Sequence, residues 1–384
     1  MNHQHITQRL LAIDALRGLV ILIMLLDHVR ETFFMQYQVP DPMDISSTEP
    51  ALFFSRISSH LCAPVFVFLT GLSAYLFQQK SQSLAETRAF LFKRGLFLIL
   101  LEVTLVGFAW TGQIIPEKIY LQVIWAIGFS MLALAALIGL PRKLQILFAT
   151  IIIAGHNLLD FIDASKMTGV THYVWAVLHD RSWLKISESL KIRTSYPILP
   201  WIGVILAGYC FGSMFTQQVT AQERAKKLIT FASVGLVGFI VLRWLNLYGD
   251  AAWQVMPSTL ETVMSFLNLT KYPPSLLFIM FNVSIGLYLL TLFERYQHQK
   301  WIGYLSIYGS VPMFFYLLHL YVLKLLYVIC FAIFGATHGE YFGVDHVYSL
   351  WLISVILGIA LFPIVQWFAK FKHSHKHIAI LKYF

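Results

Sequence analysis

At 384 residues the chain is 58% hydrophobic and only 12% charged, against about 25% charge in an ordinary soluble domain, which excludes a water-exposed globule. The formal net charge of +9 does not mark a nucleic-acid partner, because Lys and Arg fall in short clusters between apolar runs rather than along one polar face. The three cysteines, Cys62, Cys210 and Cys330, sit in apolar segments without CxxC or Cys/His spacing, which argues against a disulfide framework and against a metal site.

Apolar stretches of about 20 residues recur from end to end and match a ~30 Å hydrocarbon core at ~1.5 Å rise per residue. The pattern predicts an all-α, polytopic membrane helix bundle of about ten transmembrane helices, read here as one membrane domain over residues 1–384. The expected spans lie near 16–35, 57–78, 94–110, 119–140, 144–160, 196–216, 228–247, 272–293, 303–334 and 347–369. The first run follows Arg9 and Arg17 but continues into Asp27, His28, Arg30 and Glu31 without a small-residue cleavage site, so it reads as a retained helix rather than a removed signal peptide. The ninth is long enough to tilt, or to break at Pro312.

Alternate loops divide the charges. The N-terminus, the even-numbered loops and the tail are rich in Lys and Arg and poor in acids, whereas the odd-numbered loops are not. By the positive-inside rule both termini are expected in the cytoplasm, and the long loops at 36–56, 161–195 and 248–271 on the other side. The 161–195 segment, with Trp175 and Trp183, is read either as an interfacial helix or as an unstructured connector. No internal repeat of the transporter kind is visible.

The first helix carries the densest chemistry. Arg17 and His28 are eleven residues apart, so on a helix they lie within about 20° of one face and about 16 Å apart along the axis. Asp14 precedes Arg17 by three residues and Glu31 follows His28 by three, both compatible with contacts on that face. Each ionisable group near a bilayer centre costs ~2.5–3.5 kcal/mol on insertion scales, and the apolar runs hold Asp27, Glu102, Arg243 and Lys324 besides His28 and His319. These groups must pair or line a wet cavity. Glu31, Glu102, Arg243 and His319 are the cavity-lining candidates, with interhelical ion pairs and hydrogen bonds as the plainer reading. Imidazole both takes and returns a proton near neutral pH, so His28 suits general-base work. Asp27 or Glu31 would fix its tautomer, although Asp27 is ~100° around the helix. His373, His375 and His377 alternate with Lys372 and Lys376 in the tail and read as a membrane-proximal basic segment rather than a metal site.

The run Arg9-Leu10-Leu11-Ala12-Ile13-Asp14-Ala15-Leu16-Arg17-Gly18 followed by His28 resembles the opening signature of membrane acyltransferases, in which an Arg, ten residues and a His begin the first helix. Asp41-Pro42 through Ser59-His60-Leu61-Cys62-Ala63-Pro64-Val65-Phe66-Val67-Phe68-Leu69-Thr70-Gly71 is similar to bacterial members of the heparan-α-glucosaminide N-acetyltransferase group, as are Phe314-Phe315-Tyr316-Leu317-Leu318-His319-Leu320 and the tail from Trp367 through Lys372. The signature covers about 8–78, with further matches at about 272–372.

The resemblance implies transfer of an acetyl group from cytosolic acetyl-CoA to an amine or hydroxyl of a sugar-like acceptor across a bacterial inner membrane, by a chain that is a monomer or a homodimer. It places Arg17 and Asp14 at the CoA end of the donor and His28 as base or acyl carrier. In one respect the chain departs from the group: the lysosomal enzyme has an Asn at the position corresponding to His28 and its proposed catalytic His in the following lumenal segment. This chain has no His between residues 29 and 59, so either His28 or His60, at the entrance to the second span, would serve. The rival function is a multi-helix transporter of a small hydrophilic solute, with the same buried charges as its pathway.

Overall fold

In the computed structural model the backbone of residues 2–384 and the side chains of residues 11–384 are described, so Arg9, the first residue of the signature, lies outside the described side chains. The chain is mostly helical. It begins with α1 (Asn2–Phe33), α2 (Pro50–His60), α3 (Cys62–Ser81) and α4 (Leu84–Leu101), which runs through a π turn at Glu102–Val106 into α5 (Gly107–Thr111). There follow α6 (Val123–Leu137), α7 (Arg142–Gly155), α8 (Gly169–Leu178), α9 (Leu199–Phe211), α10 (Ala221–Leu245) and α11 (Thr259–Leu267). The last four are α12 (Leu276–Arg295), α13 (Lys300–Ser310), α14 (Pro312–Phe334) and α15 (Val347–Ser374).

Every expected span falls on one of these helices or on a joined pair. Among the described residues six stretches are long and apolar enough to cross a membrane: Pro50–Ser81, Arg142–Phe161, Ala221–Leu245, Leu276–Arg295, Pro312–Phe334 and Val347–Ser374. That is fewer than the expected ten or so, for physical reasons: α1 carries Asp14, Arg17, Asp27, Arg30 and Glu31, α4 carries Glu86, Arg88, Lys93 and Arg94 before the π turn, and α6 and α9 are apolar but shorter. The ninth span breaks at Pro312, whose missing N–H and ring cannot continue α13, and Val311 leaves helical geometry at φ −135°, ψ 50°. One correction to the all-α expectation comes from the loops. Residues 161–195 hold a helix, α8, and strands β2 (Trp183–Lys185) and β3 (Lys191–Arg193). With β1 (Lys118–Tyr120) these make a three-stranded sheet in the order β1-β3-β2, parallel at the first pairing and antiparallel at the second.

The helices form two compact units: Met1–Cys62, Pro257–Leu267 and Leu289–Phe384 make one, Ala63–Met256 and Asn268–Tyr288 the other. In the first unit α1 is the central element. Ala12, Ile13, Ala15, Leu16, Val20, Ile21, Leu25 and Val29 are all buried, so nearly every face of the helix is covered. Gly18 and Gly309 allow α1 and α13 to touch backbone to backbone: a Cβ on Gly18 would overlap the Leu305 carbonyl and one on Gly309 the Asp14 carbonyl. The Tyr308 hydroxyl bonds the Gly358 carbonyl, and Phe314 stacks on Phe368 at 3.8 Å, tying α13 and α14 to α15.

The second unit uses the same device. Gly71 and Gly208 join α3 to α9, and Gly95 and Gly128 face each other's carbonyls across α4 and α6. Outward faces are apolar in both units, with Val234, Val237, Ile240 and Trp244 exposed on α10 and Leu325, Val328, Ile333 and Phe334 exposed on α14. Such faces are stable only against lipid, which makes this an integral membrane protein.

Candidate functional site

The first unit gathers most of the candidate residues along α1. At one end Arg17 donates to Asp14 at 2.7 Å, the contact that i,i+3 spacing allows on a helix. Toward the other end Asp27 lies between two cations, Arg30 at 3.0 Å from its own helix and Arg56 at 2.6 Å from α2. Arg30 also reaches Glu31 at 3.2 Å, and Glu31 is partly exposed. Arg56 is buried, and a buried cation is tolerable only with such a partner. His60, one turn beyond Arg56 and equally buried, ends α2 on the same helix face.

His28, one residue past Asp27, turns to a different neighbour. Its Nδ1 lies 2.7 Å from Nε2 of His319 on α14, and the Nδ1 of His319 lies 2.6 Å from the Phe315 carbonyl oxygen. The two rings stack with centroids 5.0 Å apart, and Tyr316 meets His28 edge-on at 5.7 Å. These contacts assign the neutral tautomers. A carbonyl only accepts, so His319 Nδ1 carries a hydrogen and donates it to Phe315; its Nε2 is then the acceptor. His28 Nδ1 therefore donates to His319, which leaves Nε2 as the basic nitrogen of His28. The partner at Nδ1 of His28 is thus His319, rather than the Asp27 or Glu31 expected from α1 itself.

Glu102 and Arg243 belong to the second unit. Glu102 sits in the π turn, fully enclosed, and its Oε2 accepts the Trp125 backbone N–H at 2.9 Å, where a carboxylate complements the first turn of α6. Arg243, near the end of α10, donates to the carbonyls of Ala251 at 2.6 Å and Asn268 at 3.1 Å. It holds the 248–271 loop, together with Asp250, which accepts from Thr270 Oγ1 at 2.7 Å and from Ser275. Burial pushes the Asp250 carboxyl above the usual range, against the lowering by Ser275, Thr270 and the Arg243 charge.

Sequence reasoning did not single out Arg56. Its only trace there is a cation immediately before an apolar run, four residues from His60. The group of His156, His179 and Asp160 was also missed: His179 Nε2 meets Asp160 at 2.8 Å, and His156 Nε2 bonds the Pro274 carbonyl at 2.8 Å.

His28 and His319 thus form a buried, hydrogen-bonded imidazole pair, and comparison with known families gives it a chemical setting. Residues 9–248 match the family described as Heparan-alpha-glucosaminide N-acetyltransferase, catalytic. The chain belongs to this heparan-α-glucosaminide N-acetyltransferase family. Membership makes it an acetyltransferase-like membrane enzyme. The matched segment of the N-acetyltransferase family runs from α1 through α10 and contains Asp14, Arg17, Asp27, His28, Glu31, His60, Glu102 and Arg243. His319 and the basic tail lie beyond it, as does the similarity read at 272–372. No curated protein matches the chain.

Proposed function

We propose that the protein moves an acetyl group from cytosolic acetyl-CoA to an amine or hydroxyl of a sugar-like acceptor on the other side of a bacterial inner membrane. The observation that carries this reading is the hydrogen-bond chain from Phe315 through His319 to His28, which presents a defined basic nitrogen in a member of an acetyltransferase family. In the direct route His28 Nε2 takes the proton from the acceptor as its nitrogen or oxygen bonds to the thioester carbonyl carbon. The C–S bond then breaks, and the proton passes from His28 to the departing sulfur, giving free CoA and acetylated acceptor. In a two-step route the same nitrogen first carries the acetyl group.

Two features favour His28 over His60 as the base: its tautomer is set by a partner, and it stands on the helix that carries Arg17. Arg17, oriented by Asp14, holds the CoA end of the donor, and the excess of Lys and Arg in the loops on its side supports a cytoplasmic donor.

The test is acetyl-CoA binding to detergent-purified protein by calorimetry. Wild type is expected to bind, and Arg17→Ala to bind at least about tenfold more weakly, since a hydrogen bond to a charged group contributes about 1.5–3 kcal/mol. No binding to folded wild type would reject the donor and favour the transporter.

A further inference from the structure

The C-terminal tail builds a pocket from residues to which the reaction above gives no role. After α15 the chain turns back through His375–Ile378 into a 3-10 turn at Ala379–Tyr383, which buries Leu381 and brings Phe384 against Phe368 at 6.2 Å. Between this tail and the break at Val311 lies a cavity of about 650 Å³. Ile378 and Leu381 give it an apolar wall, and Lys370, Lys372, Lys376 and Lys382 ring it; among the described residues no carboxylate lines it. Lys370, Lys376 and Lys382, gathered without an acid among the described lining residues, repel one another, and an anion joining them relieves that repulsion. Lys372 is anchored, donating to the Ser310 carbonyl at 2.9 Å, and it lies within electrostatic reach of Asp14, so the pocket opens beside the end of α1 that bears Arg17. Lys370, Lys376 and Lys382 are exposed at the rim.

We propose that this pocket binds a phosphate-bearing group. Lysine heads are compact point charges suited to phosphate, and the apolar wall takes the organic part of the same molecule. The shared chemistry has two sources. One is the nucleotide end of the acyl-CoA, which rests on the function proposed above; the other is the headgroup of an acidic phospholipid, which does not.

The experiment uses the full chain and the double variant Lys376→Gln/Lys382→Gln, both side chains exposed, with the thermal midpoint as a check of folding. Two ligands are measured: CoA by calorimetry in neutral detergent, and phosphatidylglycerol against phosphatidylcholine by native mass spectrometry. At least one phosphate ligand is expected to bind the variant about tenfold or more weakly, with a shallower salt dependence, and the ligand affected names the source. Binding of both ligands as tightly as in wild type overturns the pocket. If wild type binds no CoA, the donor reading fails, and the lipid arm alone decides the pocket: phosphatidylglycerol held by wild type and lost by the variant supports it, while no difference rejects it.

Discussion

His319 has no charge-bearing partner among the contacts that define its ring; it is fully buried, donates to a backbone carbonyl and accepts from His28. Its role in the proposed reaction is to orient His28, so its variants divide by which of those bonds they keep. A Gln at 319 offers a carbonyl oxygen near the position of Nε2, whereas Phe keeps the ring and removes the acceptor. His319→Phe is expected to lower kcat by about 10²-fold with KM for acetyl-CoA little changed, and His319→Gln to recover a substantial part. Equal kcat in the Phe variant and wild type would end the positioning role.

At this scale the sequence was informative about contacts along one helix and silent across helices. The Asp14–Arg17 pair follows from spacing alone, as the i,i+3 rule predicts. Arg56, the second partner of Asp27 after Arg30, and His319, the partner of His28, stand 29 and 291 residues away, and no local pattern points to either pairing.

Helices meet here through glycine. In a bilayer the hydrophobic effect does not drive one apolar helix onto another, so close backbone approach and dispersion supply the attraction. Gly309 sits against the Asp14 carbonyl, at the turn that holds the ion-paired Arg17. Gly309→Ala is therefore expected to force α1 and α13 apart and to destabilise the protein by about 1–3 kcal/mol, read as a lower thermal midpoint in detergent. Gly303 lies on the same helix with nothing within 4 Å of an added Cβ, so Gly303→Ala is the control and should leave the midpoint unchanged or raised. Equal midpoints for the two variants would refute the contact.

The apolar runs located the helices, and Pro312 located the break, because both signals are local. The three-residue strands were not legible, since β1 pairs with β3 across more than 70 residues, Ile119 opposite Ile192, and each strand is too short to show alternation. The π turn at Glu102–Val106 likewise left no mark; the buried Glu102 was visible in sequence only as an expensive charge.

A family match over 9–248, a buried imidazole pair built partly from outside that segment, and a charge asymmetry among the loops together support the proposed transfer. In it, acetyl enters on the Arg17 side and leaves on the other. The measurement that tests it places purified protein in sealed vesicles, with radiolabelled acetyl-CoA on the face bearing the N-terminus and an amino sugar enclosed on the opposite face. Acetylated sugar is expected inside, with no acetyl-CoA inside, and a loss of at least about 10²-fold in His28→Ala that folds as wild type does. Acetylation only of sugar on the donor side, turnover in His28→Ala equal to wild type, or sugar crossing the membrane without acetylation would contradict it.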